Sequence, residues 1–151
     1  TPGKYVGFQN YANLCKDPLF WKGRSVTVLY FFLSVPAQLR LAFILALLLS
    51  KNSFINYVFR GIFFLPYIVS GIATAILWRW LYNPEFGLIN FLLSQFGIQG
   101  PAWLSSVNWA LPAIAISGIW GLGSTMLIYL AAIQAVPEHP YEAAEIDGAT
   151  R

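Results

Sequence analysis

Three long apolar runs are the feature that most constrains how this chain can fold. They cover residues 25–50, 61–82 and 109–136 of the 151-residue sequence, and the third run contains no charged residue. A membrane-spanning helix needs about 20 consecutive apolar residues, so each run is long enough to cross a bilayer. None of the runs alternates apolar and polar residues with a period of two, which excludes the strands of a membrane barrel. The sequence therefore predicts an all-α membrane protein with three membrane-spanning helices.

The composition leads to the same class of protein. Only 10% of the residues are charged and 58% are hydrophobic, whereas a typical soluble domain has about 25% charged residues. The nine Lys and Arg residues that give the net charge of +3 are scattered along the chain. Because no basic cluster could neutralise a series of phosphates, we expect no nucleic-acid partner. We therefore expect membrane lipid to surround the apolar runs of the chain.

Short polar segments connect the apolar runs. Residues 51–60 carry two cations and predict a tight connection between the first two spans. Residues 83–108 begin with a turn signal, followed at 88–96 by an apolar stretch that is too short to span. This stretch predicts an interfacial or re-entrant helix that ends at Gly97. Residues 1–24 mix aromatic residues with lysines, and we expect them to lie along the membrane surface.

The polar segment 137–151 follows directly on the third span but has the signals of a helix. Glu142 and Glu145 fall in its early turns, where the helix dipole favours carboxylates. Small or apolar residues recur at helical spacing on one face, at Tyr141, Ala144 and Gly148. A short helix of this kind is not stable alone, so we expect it to dock into a partner.

Residues 142–149, EAAEIDGA, resemble the EAA loop of the permease subunits of ABC importers. The whole chain is similar to the carbohydrate-importer branch of that family, the inner-membrane permeases related to the maltose and glycerol-3-phosphate systems. The similarity also rests on VGFQNY at 6–11, DPLFW at 17–21, FFLPY at 63–67, WRWLYNPEFG at 78–87 and NWA at 108–110.

The resemblance implies the type I ABC importer transmembrane-domain fold. The chain is then a fragment that holds three membrane helices and the start of the cytoplasmic coupling helix. Residues 51–60 and 137–151 would be cytoplasmic, and residues 1–24 and 83–108 external. The implied location is the cytoplasmic (inner) membrane of a bacterium or archaeon.

The implied function is a permease subunit that moves a sugar or related polyol, coupled to ATP hydrolysis in a separate subunit. Its implied partners are the ATP-binding subunit, a second permease subunit and an extracytoplasmic solute-binding protein. The residues implied in coupling to the ATPase are Tyr141, Glu142, Ala143, Ala144, Asp147 and Gly148. Another small solute such as glycerol-3-phosphate is the alternative cargo. A membrane transporter outside the ABC class and an anchor subunit are the rival classes.

We find no catalytic constellation, metal-ligand spacing or cofactor motif in the sequence, and we therefore predict no enzymatic activity.

Arg40 lies inside the first span, where a charge is costly and indicates a bundle-facing or water-facing role. Ser117, Gly121 and Ser124 share a face of the third span beside Trp120. That face predicts close helix packing or, alternatively, the lining of a sugar path. Pro36 and Pro66 are expected to kink their spans.

Overall fold

The computed structural model describes residues 5–137 and Gly148, and the chain is helical in all its regular elements there. The predicted all-α class is thereby confirmed. Seven helices follow one another in the described part: α1 (Gln9–Lys16), α2 (Pro18–Leu48), α3 (Phe54–Ile68), α4 (Gly71–Leu81), α5 (Leu88–Gln95), α6 (Ala110–Ile119) and α7 (Gly123–Gln134).

The longest helix, α2, contains the first apolar run and begins before it. The carboxylate of Asp17 accepts a hydrogen bond of 2.8 Å from the backbone N–H of Leu19, and Pro18 occupies the first helical position. Both features stabilise a helix N-terminus, so the helix starts at Pro18 rather than near residue 25. The helix continues through Pro36 to Leu48. Within the described residues, α2 is the single unbroken helix that is long and apolar enough to cross a membrane.

The second apolar run is divided between two helices. Helix α3 ends at Ile68 and α4 begins at Gly71, and the two axes are bent by 96°. Val69 between them is extended, with φ of −68° and ψ of 137°. Pro66 lies two residues before the end of α3 and cannot donate the backbone hydrogen bond of a helical turn, which weakens the helix at this point. Because α3 already begins at Phe54, most of the connection predicted at residues 51–60 is helical.

The third apolar run is also bent. Helices α6 and α7 meet at an angle of 47° across residues 120–122. Immediately after the bend, a Cβ on Gly123 would overlap the backbone carbonyl of Phe63 on α3. If each bent pair is one span, the described part of the chain contains up to three candidate spans by length and composition.

Two clusters of buried side chains hold the bundle together. In the larger cluster, the small residues Ala42 and Ala46 of α2, with Leu49 just after it, pack against larger residues of α7 and its N-cap: Leu122, Met126 and Leu130. The smaller cluster joins Tyr82, Trp103 and Ala113. Helix α2 contacts both α6 and α7, and α3 contacts α7. These contacts on both sides of Pro36 stabilise α2 where the proline alone would weaken it.

The connection between the second and third runs contains the short helix that the sequence predicts. The side-chain oxygen of Asn83 accepts hydrogen bonds from the backbone N–H groups of Glu85 and Phe86, at 2.9 and 3.1 Å, and forms the turn. Helix α5 then runs from Leu88 to Gln95. Gly97 has a φ of 73°, a conformation that glycine adopts easily and that commonly ends a helix.

Candidate functional site

The segment implied in coupling follows the end of α7. Of its residues, Gly148 is described, whereas Tyr141, Glu142, Ala143, Ala144 and Asp147 lie outside the described residues. Gly148 is exposed and has a φ of 81°. No other heavy atom would lie within 4 Å of a Cβ at this position, so the backbone conformation, rather than the space available, favours glycine here.

Trp120 lies at the bend between α6 and α7 and lines an apolar groove. The groove has a volume of about 460 Å³ and is bounded by α2, α3 and the bend, with Leu41, Ile44, Leu45, Ile62, Phe63, Pro66, Ile119 and Leu122 as its other lining residues. The indole of Trp120 is 37% exposed. On another side it meets the ring of Trp78 on α4 edge to face, at 5.7 Å between centroids.

The other residues predicted along the third span do not share one straight helical face. Ser117 belongs to α6 and Ser124 to α7, and the 47° bend separates them. The Ser117 hydroxyl donates a hydrogen bond of 2.8 Å to the carbonyl of Ile114 in its own helix. Gly121 is exposed, and the tight helix contact is made instead by Gly123.

Arg40 is exposed on α2. The described acidic residues, Asp17 and Glu85, both lie outside the apolar runs. The described part of the spans therefore supplies no carboxylate partner for Arg40. Neither does the described part contain a group of three or more His, Cys, Asp or Glu side chains that could hold a metal ion.

A polar pair inside α2 was missed by the sequence reasoning. The side-chain amide of Gln38 donates a hydrogen bond of 2.7 Å to the hydroxyl of Ser34, and Ser34 is 2% exposed. Gly118 of α6 faces this pair, since a Cβ there would lie 2.8 Å from Nε2 of Gln38 and 3.8 Å from the hydroxyl of Tyr30. The signal was present: Tyr30, Ser34 and Gln38 are spaced four residues apart in an apolar run.

Five aromatic residues form a second feature that was missed. We call it the aromatic series, and in order of contact it consists of Trp120, Trp78, Tyr82, Trp103 and Trp109, with successive ring centroids 5.2–5.7 Å apart. The Tyr82 hydroxyl donates a hydrogen bond of 2.9 Å to the carbonyl of Ala113. The indole N–H of Trp103 donates one of 2.6 Å to the side chain of Asn90. The series thus joins α4, α6 and the connection between them.

An apolar helical bundle with bent candidate spans and a charged segment after its last helix is typical of the membrane-spanning part of a membrane protein. The family comparison specifies this class. The chain belongs to the family of binding-protein-dependent transport system inner membrane components, whose family model matches residues 23–151. This confirms the predicted family and its inner-membrane location. The family is one of transport components, in agreement with the prediction that the chain is not an enzyme.

The chain is similar to permeases of both archaea and bacteria. It is 38% identical over 149 residues to a probable ABC transporter permease protein of Pyrococcus horikoshii, with 97% of this chain and 51% of that protein covered. It is 34% identical to the sulfoquinovosyl glycerol transport system permease of Agrobacterium fabrum, with 98% and 48% covered. It is 37% identical to the trehalose/maltose transport system permease of Thermococcus litoralis, with 97% and 50% covered. The chain thus spans about half the length of these relatives.

The fold is similar to that of solved ABC importers. The chain superimposes with a TM-score of 0.86 and 27% identity on a chain of a bacterial ABC transporter involved in the import of alginate, covering 99% of this chain and 53% of that one. The TM-score is 0.85 for a second structure, in which the alginate transporter is bound to an alginate-loaded periplasmic protein. These similarities confirm the predicted transmembrane-domain fold.

Proposed function

We propose that the protein to which this chain belongs is the permease subunit of an ABC importer that moves a sugar or related polyol across the cytoplasmic membrane. The observation that carries this proposal is the fold, which matches the alginate importer over 99% of the chain. The relatives support the substrate class, because those from Agrobacterium and Thermococcus are named as permeases for a sulfoquinovosyl glycerol and for trehalose and maltose.

The proposed assembly has four kinds of subunit or domain. A second permease would complete the pathway across the membrane, and an ATP-binding subunit would supply the energy. An extracytoplasmic protein would deliver the solute, as the periplasmic protein of the alginate transporter suggests. In this assembly the α2–α3 loop and the segment after α7 face the cytoplasm, and the connection that contains α5 faces outward.

The segment after α7 would transmit the energy of ATP hydrolysis. Its residues Tyr141, Glu142, Ala143, Ala144, Asp147 and Gly148 would dock into the ATP-binding subunit. Small side chains allow close approach of two backbones, and a docked segment moves with the surface that holds it. Because α7 packs against both α2 and α3, a displacement of α7 would be passed to the first two spans. Different docked contacts in two states are what biases the equilibrium between inward-open and outward-open forms.

The solute path is proposed to pass the bend of the third span. The Trp120 indole offers an aromatic face for a sugar ring. Ser117 and Ser124 lie on either side of the bend, and the Ser117 hydroxyl, which donates to the carbonyl of Ile114, keeps its acceptor capacity for a sugar hydroxyl. Gly121 leaves room at the bend, and Arg40 would face water or missing helices of the pathway. The apolar lining of the groove at Trp120 indicates that additional polar groups come from the rest of the protein, since sugar binding needs several hydrogen bonds.

Uptake by the full-length complex tests the proposal. The complete permease is coexpressed with the ATP-binding and second permease subunits and reconstituted into vesicles, with the solute-binding protein outside. We expect uptake of a radiolabelled sugar that requires ATP inside the vesicles, and no uptake when the P-loop lysine of the ATP-binding subunit is replaced. Uptake that continues without ATP would assign the protein to a different class of transporter.

A further inference from the structure

Arg60 closes the hairpin between α2 and α3. Its guanidinium donates to the carbonyl of Leu49 through Nε at 3.1 Å and through Nη2 at 2.5 Å. Nη2 also lies 3.4 Å from the carbonyl oxygen of Ser50 and 3.3 Å from that of Lys51. One side chain from the second turn of α3 thus reaches three successive carbonyls at the end of α2.

The carbonyl of Leu49 needs such a partner most, since the carbonyl of Lys51 also accepts from the Asn56 side chain at 2.9 Å and from the backbone N–H of Ser53 at 3.1 Å. The last carbonyls of a helix have no acceptor role inside the helix, and a cation near them also interacts favourably with the helix dipole. Leu49 is only 7% exposed, so water has little access there, and an unpaired buried carbonyl is costly. The ring of Tyr57 lies 4.8 Å from Cζ of Arg60 and limits the directions in which the guanidinium can point.

The same loop is in contact with the end of α7. The side-chain amide of Gln134, the last residue of α7, donates a hydrogen bond of 3.5 Å to the carbonyl of Ser50. Below this contact, Leu49 packs in the cluster with Leu130, and Ile133 packs against it. Residues 135–140 separate Gln134 from Tyr141, the first of the residues proposed to dock into the ATP-binding subunit.

We propose that Arg60 and Gln134 are positioning residues for energy coupling: they hold the α2–α3 loop and the end of α7 as one body, so that force on the segment after α7 reaches α2 and α3 together. This inference rests on the proposed function. Without Arg60 the loop at residues 49–53 would keep the neutral side-chain hydrogen bonds from Asn56 to Lys51 and from Tyr57 to Asn52, but it would lose the charged donor at Leu49 and its attachment to α3 would loosen. Motion of α7 would then be absorbed in that loop instead of displacing the first two spans.

The test measures the ratio of sugar imported to ATP hydrolysed in the reconstituted full-length complex. We expect this ratio to fall about tenfold in Arg60→Ala, within the usual range of coupling free energies between sites. Arg60→Lys should also lower it, because an ammonium group keeps the charge but not the planar fork that reaches several carbonyls. Gln134→Leu should lower it less, because it removes one long hydrogen bond. Arg79→Ala removes an exposed cation from α4 and serves as the control with an unchanged ratio.

A purely structural role predicts a different outcome. Fewer complexes would then assemble, but import and ATP hydrolysis would fall in proportion and the ratio would stay constant in all variants. A constant ratio overturns the proposal. If Arg60→Ala does not assemble, Arg60→Lys and Gln134→Leu decide the question by the same ratio.

Cross-linking gives a second, independent measurement. Ser50→Cys and Gln134→Cys are combined in a Cys15→Ser background and joined with a short bismaleimide in the assembled complex. Gln134→Cys removes the hydrogen bond to Ser50, so the double variant should have a lowered ratio of sugar imported to ATP hydrolysed before cross-linking. If the loop and the end of α7 move as one body, cross-linking raises this ratio again, whereas a ratio that stays the same or falls further on cross-linking contradicts the proposal. A wild-type complex that imports no sugar with ATP would contradict the proposed function itself. If the wild-type complex imports sugar and the variants have the same ratio of sugar imported to ATP hydrolysed, this inference alone is contradicted.

Discussion

The backbone carbonyl of Phe63 lies directly against Gly123, so that no side chain fits between α3 and α7 at this position. The obstacle is backbone rather than a flexible side chain, and Gly123 is buried. This contact fixes the separation of two spans immediately after the bend in the third.

Replacement of Gly123 by alanine should therefore push α3 and α7 apart. Overpacking of a tight interior typically costs about 1–3 kcal/mol, and we expect a lower unfolding temperature of the purified full-length complex in detergent. Gly121→Ala is the matched control, since a Cβ there would meet only the carbonyl of Gly118 at 3.8 Å. Equal stability of the two variants would contradict the close contact between the helices.

Tyr82→Phe should weaken the junction between α4 and α6. The change removes the hydrogen bond from the buried Tyr82 hydroxyl to Ala113, and we expect a loss of about 1 kcal/mol, the usual net value of such a bond. Thermal unfolding of the complex measures it. Tyr67→Phe removes a hydroxyl from an exposed ring in α3 and should leave the unfolding temperature unchanged. If the unfolding temperature falls equally in Tyr82→Phe and Tyr67→Phe, the hydrogen bond to Ala113 does not stabilise the protein more than an exposed hydroxyl does.

The Ser34 and Gln38 side chains should be energetically coupled. Ser34→Ala leaves the Gln38 amide without its partner in an apolar span, and Gln38→Leu leaves the Ser34 hydroxyl in the same state. A double-mutant cycle should give a coupling energy of about 0.6 kcal/mol, the average measured between polar side chains in a membrane protein, and at most about 1.7 kcal/mol. The measurement is the stability of the two single variants, the double variant and wild type in one detergent. Strict additivity would mean that the pair does not interact.

Gly148→Asp and Glu142→Lys should separate ATP hydrolysis from import. The first places a Cβ and a negative charge at a φ of 81°, a conformation that is uncommon for residues other than glycine. The second reverses a charge in the segment proposed to dock. We expect ATP hydrolysis by the reconstituted complex to continue while sugar uptake falls. Gly97→Asp, at another glycine with positive φ, but in the connection after α5, controls for strain alone; wild-type uptake in Gly148→Asp and Glu142→Lys would argue against the coupling role.

Much of the architecture could be predicted from the sequence because hydropathy and turn signals act locally. The apolar runs predict where long apolar helices lie, although α2 begins earlier than its run, and the Asn83 turn and Gly97 flank α5 as expected. The two bends could not be predicted in the same way. Pro36 and Pro66 carry the same local signal, but α2 is packed against α6 and α7 on either side of Pro36, whereas α3 ends soon after Pro66. The outcome at each proline depends on contacts that are distant in the sequence.

In the candidate site, too, features that depend on neighbouring residues could be predicted, and contacts between distant residues could not. The motif at residues 142–149 was readable because its residues are contiguous. The contacts that Arg60 makes with Leu49, and Gln134 with Ser50, are made between side chains and backbone carbonyls, which have no signature in the sequence. The four-residue spacing of Ser34 and Gln38 indicates a shared helix face. The pair was missed because Arg40, a charged residue in the same span, was considered the polar residue of interest.

The aromatic series also has an optical consequence. It contains Trp78, Trp103, Trp109 and Trp120, which are four of the six tryptophans in the chain. Excitation energy passes readily between indoles at such separations, so the emission of this chain should come mainly from one connected group of rings. A shift of α4 relative to α6 would change the distances between these rings. The tryptophan emission of the unlabelled protein would then change during the movement and could be recorded in real time.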